Sequence, residues 1–142
     1  MNSRTVANVK YIDPSELFSW MKDGVATPFQ VVDVRGPDYV GGHIKGGWNY
    51  PFEEFQEKLP ELMKRLNDER EATGSTLLNV IFHCAQSLER GPTAAMKFLK
   101  TLPEDELEHF KIYVLRGGFI HWQRLYGEDN TVTEDYRPDL WS

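Results

Sequence analysis

The stretch "LNVIFHCAQSLERGPTAAMKFL", Leu78 to Leu99, decides how the rest of the chain is read. The run from Leu78 to Phe82, apolar except for Asn79, reads as a strand buried on both faces of a sheet. After it come His83, the single cysteine Cys84, and then Arg90 directly before Gly91-Pro92. Ala95, Phe98, Leu99 and Leu102 fall at i, i+3, i+4 and i+7, the stripe of an amphipathic helix. The pattern is strand, loop from Cys84 to Arg90, helix, with the only thiol at the strand's carboxyl end.

The neighbouring segments repeat the alternation. "NVKYI" reads as a short strand, and "DPSELFSWMKDG" as a helix with Asp13 as N-cap, Pro14 at its first position and Glu16 completing a capping box. Leu17, Trp20 and Met21 form its apolar face, and Gly24 ends it. "FQVVDV" is a second buried strand, and the glycine-rich "GGHIKGGWNY" leads to a possible short one. Residues 53–73 are charged with helical period, and Pro60 predicts two helices there, the second running to Gly74. "KIYVL" reads as a third long strand and "RGGFIHWQRLYG" as a closing helix with Phe119, Trp122 and Tyr126 inward. Strands alternating with helices imply an α/β fold with a parallel sheet and right-handed crossovers. The tail "GEDNTVTEDYRPDLWS" has no regular period. Its Tyr136, Leu140 and Trp141 are costly to leave in water and are expected to pack back on the body.

The 142 residues show no repeats and no low-complexity linker, so one domain spanning 1–142 is expected. A net charge of −6 argues against a nucleic-acid partner, whose footprint would be a basic patch. No long apolar run and no apolar leader occur, so no membrane partner is expected. One cysteine forms no internal disulfide and makes no cysteine-rich zinc site; no metal is expected. These features point to a cytoplasmic protein, with the nucleus as a second location.

Ligands of open α/β sheets bind outside the carboxyl ends of the strands, where Cys84 stands. A loop folded around a helix N-terminus points several main-chain N–H groups at one spot, and the helix dipole adds partial positive charge. Ala85, Gln86, Ser87, Leu88 and Glu89 would supply that cradle for a tetrahedral oxyanion. Arg90 would complete it as a permanently charged fork gripping two oxygens. Such a field favours thiolate: a free thiol of pKa ~8.5 is mostly protonated at neutral pH, whereas one lowered to ~6 is mostly ionised. A thiolate there can attack phosphorus in line, giving a thiophosphate intermediate that water later hydrolyses. Glu89 is the nearest proton donor for the leaving group. Ser87 can donate a hydrogen bond to the thiolate or the phosphate, and His83 shapes the loop from behind. Glycine-proline opening a helix just after Arg90 weighs against the alternative of an inert core cysteine.

"HCAQSLERGP" resembles the active-site loop of the M-phase-inducer (cell-division-cycle) dual-specificity phosphatases, including the Glu before the Arg and the Gly-Pro after it. "VVDVRGPDYVGGHIKGGWN" and "YVLRGGFIHW" are similar to the first and second rhodanese signatures of the same family. The resemblance implies a rhodanese-like fold, a central parallel β-sheet flanked by helices on both faces. Its size is similar to small fungal single-domain members, phosphatase-like and arsenate-reducing alike. By motif, Cys84 is the nucleophile, Arg90 the phosphate clamp and Ala85–Glu89 the backbone cradle. Asp33 and Arg35 match the "D-x-R" of the first signature and are expected to tie the sheet end to its neighbouring loop; His43 is expected to be structural. His109 and His121 are expected away from the loop and without a role. The family's second, resolving cysteine is missing here.

The reading that follows is a cysteine-dependent tyrosine or dual-specificity phosphatase, acting without a cofactor on a phosphorylated protein or a small phosphate monoester. The alternative is an arsenate reductase, since arsenate shares phosphate's shape and charge; with one cysteine its electrons would come from glutathione or glutaredoxin. Thiosulfate sulfurtransfer is weaker, because persulfide-forming loops of the family are typically one residue shorter. A non-catalytic phosphate-binding module is disfavoured by the presence of both Cys84 and Arg90.

Overall fold

A computed structural model describes residues 4–141; residues 1–3 and 142, part of the span expected for the single domain, lie outside the described residues. Five parallel strands form the central sheet in the order β1-β6-β5-β2-β4. They are β1 (Val9–Ile12), β2 (Phe29–Asp33), β4 (Trp48–Asn49), β5 (Leu78–His83) and β6 (Phe110–Leu115). The helices are α1 (Pro14–Asp23), α2 (Phe52–Thr73), α3 (Arg90–Thr101) and α4 (Gly118–Tyr126). A small antiparallel pair, β3 (His43–Ile44) with β7 (Thr133–Glu134), stands apart from the main sheet.

All six residues of the central strand β5 are buried, because apolar layers cover both faces of the sheet. Side chains of a strand alternate between faces. Leu78, Val80 and Phe82 join α2 and α3 in one layer, with Phe55, Leu59, Leu62, Leu66, Ala95 and Phe98. Ile81 points into the other layer, with Leu17 of α1 and Phe119 and Trp122 of α4. The sheet thus has helices on both faces, and the carboxyl end of its middle strand opens onto the loop that carries Cys84.

Three local expectations are corrected. Pro60 does not divide residues 53–73: α2 runs unbroken through it. Phe55, Leu59, Leu62 and Leu66 are buried on both sides of the proline, so packing outweighs the missing hydrogen bond, and Pro60 itself faces solvent. The capping box at α1 does not close. The Asp13 carboxylate makes no cap bond and instead accepts from Arg116 Nε at 2.8 Å, an ion pair from beyond β6 that competes for the same oxygen. In the tail, Trp141 packs 5.5 Å from the Phe119 ring and its indole N–H donates to the Gly41 carbonyl at 2.9 Å, while the Tyr136 hydroxyl donates to Gln123 Oε1. Leu140, expected to join them, is exposed, because the short 3-10 turn Pro138–Leu140 leaves it on the outer side.

Because Pro60 sits at a solvent-facing helical position, Pro60→Ala would return a partner to the Gln56 carbonyl without disturbing the core. We expect it to raise unfolding stability by roughly 1–2 kcal/mol in urea denaturation, a fraction of proline's full cost in a helix interior.

Candidate active site

The loop after β5 is shaped by its own backbone. Ser87 adopts a left-handed conformation (φ 58°), uncommon for a residue other than glycine. The turn brings the Ser87 main-chain N–H to the Cys84 sulfur at 3.1 Å, and the Cys84 N–H donates to Ser87 Oγ at 3.4 Å. Ser87 is buried, and its backbone, at some conformational cost, aims a donor at the sulfur. The chain then enters α3, whose Gly91 lies against the His83 backbone; a Cβ there would sit 3.4 Å from the His83 Cα.

The loop's carbonyls are held from the opposite side. Phe119 N–H donates to the Cys84 carbonyl at 3.0 Å, and Ile120 N–H to that of Ala85 at 2.9 Å, both from the first turn of α4. In a trans peptide the N–H points opposite to its C=O. Tethering these two carbonyls to α4 therefore turns the Ala85 and Gln86 N–H groups away from it. Gly118 makes the approach possible: a Cβ there would collide with the Ala85 carbonyl, 2.7 Å from its carbon. On the outer side is a cavity of about 470 Å³ lined by Cys84, Ala85, Gln86, Leu88, Glu89, Arg90 and Ile120.

Arg90 differs in detail from the expectation of a clamp directed solely at an anion. Two of its N–H groups are taken by Asp38, Nη1 to Oδ1 at 2.9 Å and Nη2 to Oδ2 at 2.6 Å. The guanidinium holds the Asp38 carboxyl below the usual carboxylate range, and Asp38 in turn binds the arginine's proton more firmly. Nothing in the sequence singled out Asp38, which lies in the loop after β2; only the fold brings it across 52 positions to Arg90.

Beneath the loop is a buried polar cluster. Asp33 and Arg35 meet through Nε at 3.0 and 3.1 Å and Nη2 at 2.7 Å, and Arg35 also donates to the Gly42 carbonyl at 2.8 Å. The guanidinium lies 4.4 Å from the Phe119 ring centre and 5.0 Å from that of Tyr39. This ties the end of β2 to the glycine loop. His83 pairs with Asp33 in the sheet register, and its Nδ1 is 3.0 Å from the Cys84 carbonyl. A carbonyl only accepts, so the proton resides on Nδ1. Burial lowers the pKa of His83. Asp33 opposes that shift from 3.6 Å, but its charge is already matched by Arg35.

Residues 13–125 match the rhodanese-like domain family. The chain belongs to that family. It is 53% identical over 148 residues to the CDC25-like phosphatase YCH1 of Saccharomyces cerevisiae, covering 99% of each chain. The Arsenical-resistance protein 2 of the same yeast is 37% identical over 105 residues, covering 72% of this chain and 79% of that one. Among solved structures, Ygr203w, described as a yeast protein tyrosine phosphatase of the rhodanese family, superposes with a TM-score of 0.90. That match has 53% identity and covers 95% of this chain and 98% of the other.

In this rhodanese fold the loop residues named from sequence are brought together, with one exchange of roles. The Ser87 side chain does not face the cavity. Its hydroxyl accepts from Cys84, and its main-chain N–H is the donor to sulfur. Glu89 is exposed and lines the cavity. His109 donates through Nδ1 to the Thr76 carbonyl at 2.9 Å, at the far end of β5. His43 stacks on Tyr39 at 5.5 Å and lies 3.3 Å from Glu134, linking the β3–β7 pair. Among the described residues, no group of three or more His, Cys, Asp or Glu is placed to hold a metal, and no helix is long and apolar enough to cross a membrane.

Two tests follow from this geometry. Below pH 6.5, the ordinary imidazole value, an unfolded chain takes up a proton that buried His83 resists, so folded stability falls with falling pH. The slope attributable to one such group is at most about 1.4 kcal/mol per pH unit. His83→Asn, whose amide N–H can still reach the Cys84 carbonyl, should flatten the profile of unfolding free energy below that pH. Gly118→Ala should displace Ala85, costing roughly 1–3 kcal/mol of stability and weakening the binding of inorganic phosphate in calorimetry.

Proposed function

We propose that the chain is a cysteine-dependent phosphatase that hydrolyses phosphotyrosine or similar phosphate monoesters through a thiophosphate on Cys84. One observation carries the reading. The Cys84 sulfur receives a main-chain N–H while lining an open cavity whose floor peptides have their carbonyls tethered behind it. Cys84 is itself buried, at 3% exposure, with its sulfur at the cavity wall; a cysteine packed there only to fill volume would need no N–H aimed at it, whereas a nucleophile meeting an incoming oxyanion would. The relatives named as phosphatases agree with this reading, and they imply phosphorylated substrates.

In the proposed reaction the phosphoryl group enters the cavity with its equatorial oxygens toward the Ala85 and Gln86 N–H groups and the unpaired hydrogens of Arg90. Sulfur attacks in line, and the leaving oxygen departs as its proton arrives. Glu89, on the cavity wall, is the proposed proton donor, and water then releases phosphate from sulfur. No cofactor takes part in this scheme. The buried Asp33–Arg35 pair and His83 act on the loop's shape and do not touch the substrate.

A second reading rests on the resemblance to the Arsenical-resistance protein 2 of yeast. Arsenate fits the same donors, and the chain has a single cysteine. Two-electron reduction to arsenite would therefore draw both electrons from external thiols such as glutathione, leaving a glutathione disulfide.

Cys84→Ser should abolish hydrolysis of an aryl phosphate, a loss of at least about 10³-fold, while leaving the thermal midpoint near that of the wild type. Unchanged turnover would overturn the mechanism. Glutathione-coupled arsenate reduction by the same preparation, in the absence of aryl phosphate hydrolysis, would favour the second reading.

A further inference from the structure

We propose that Asp38 is a positioning residue for Arg90, gripping the guanidinium from outside the cavity so that its remaining N–H groups face a bound oxyanion. This assignment rests on the reading of the Cys84–Arg90 loop as an oxyanion cradle.

The contact is two-pronged. Each carboxylate oxygen takes one terminal nitrogen, a geometry that fixes the plane of the guanidinium as well as its place. An arginine has five N–H donors, so two spent on Asp38 leave three. Arg90 lines the cavity with Cys84, whereas Asp38 is not among the residues that line it. An anion can therefore occupy the cavity without displacing the carboxylate, and the pair need not open on binding.

Asp38 is itself held in place. Its Oδ1 accepts from the Gly36 N–H at 3.1 Å, and its main-chain carbonyl is 3.5 Å from Arg35 Nη1. Arg35 is fully buried and locked onto Asp33 and the Gly42 carbonyl. The position of Arg90 thus traces back through Asp38 to the buried Asp33–Arg35 pair. A half-exposed arginine would otherwise be ordered only when the anion arrives, and the entropy of that ordering would weaken binding. With Asp38 present, the side chain is ordered in the free protein. Asp38 also brings a negative charge near an anion, an opposing effect. Because Asp38 stands outside the cavity with Arg90 in between, orientation of the guanidinium outweighs that repulsion.

The test is calorimetric binding of inorganic phosphate to the wild type, Asp38→Ala, Asp38→Asn, Arg90→Ala and the Asp38→Ala/Arg90→Ala double variant. Asp38→Ala should weaken phosphate by roughly 10- to 100-fold, the range for losing a charge-assisted hydrogen-bonded pair. Asp38→Asn, whose amide oxygen still accepts one bond, should lose less. With Arg90 already removed, deleting Asp38 should change affinity by no more than about twofold, because the two act as one unit. Equal losses in both backgrounds, the signature of a merely structural role, would overturn the assignment, as would tighter binding by Asp38→Ala. If Asp38→Ala fails to fold, the isosteric Asp38→Asn, with and without Arg90→Ala, carries the same comparison. Absence of phosphate binding to the wild type would overturn the cradle reading and this assignment with it. Binding with additive losses would overturn the assignment alone.

Discussion

The first turn of α4 holds the carbonyls of Cys84 and Ala85, and the cavity depends on that tether. A loop between strand and helix would ordinarily present carbonyl oxygens and N–H groups to solvent in mixed order. Pinning two successive oxygens on one side fixes two successive amide hydrogens on the other, because each peptide is planar and trans. The cost falls on Gly118, which must sit closer to the Ala85 oxygen than any side chain permits and does so in a left-handed conformation. Gly118 of "LRGGF" is therefore a requirement of the loop it faces at the carboxyl end of the sheet, whereas Gly117 answers to His121 of its own helix.

A second layer keeps that tether in register. Phe119 offers its N–H to Cys84 and its ring to the Arg35 guanidinium, and the Trp141 ring packs against it from the tail. Arg35 reaches the Gly42 carbonyl while Trp141 reaches that of Gly41, so the glycine loop is gripped from two sides. The burial of a full ion pair is expensive unless its remaining donors are satisfied. Here they are, by a carbonyl and two aromatic faces, and the pair serves to position neighbours more than to add net stability. His83 completes the arrangement by donating to the same Cys84 carbonyl that Phe119 holds.

Much of this was legible in the sequence, for reasons that differ by element. The three long strands declared themselves because burial in the sheet demands mostly apolar runs, and β5 is buried at every position, Asn79 included. The loop was legible because a lone cysteine, an arginine and a Gly-Pro helix start are uncommon together, and the fold brings Cys84 and Arg90 to one cavity. What local rules misjudged was decided by partners distant in sequence. Pro60 reads as a break, but four buried apolar residues carry α2 through it. Asp13 reads as a cap, but Arg116 claims its oxygen from 103 positions away. Asp38 carried no signal, since an aspartate after a proline in a glycine-rich loop is the commonest of turn residues. Its partner is set by where β2 ends and α3 begins, a property of topology that no spacing encodes.

The proposed cradle would serve two oxyanions. Phosphate and arsenate have the same shape and charge, so main-chain N–H groups and a guanidinium discriminate poorly between them. Under the proposed mechanism the outcome would be decided after the sulfur adduct forms, by what reaches it. Water completes hydrolysis of a thiophosphate, whereas arsenic must accept two electrons, which one cysteine cannot supply alone. In this chain no second cysteine stands ready to do so. Leu88 lines the cavity and is 75% exposed, so a second thiol would enter from solvent past it. Selection between the two proposed chemistries would then be a matter of that rim and of thiol supply. The donor set around Cys84, common to both, cannot make it.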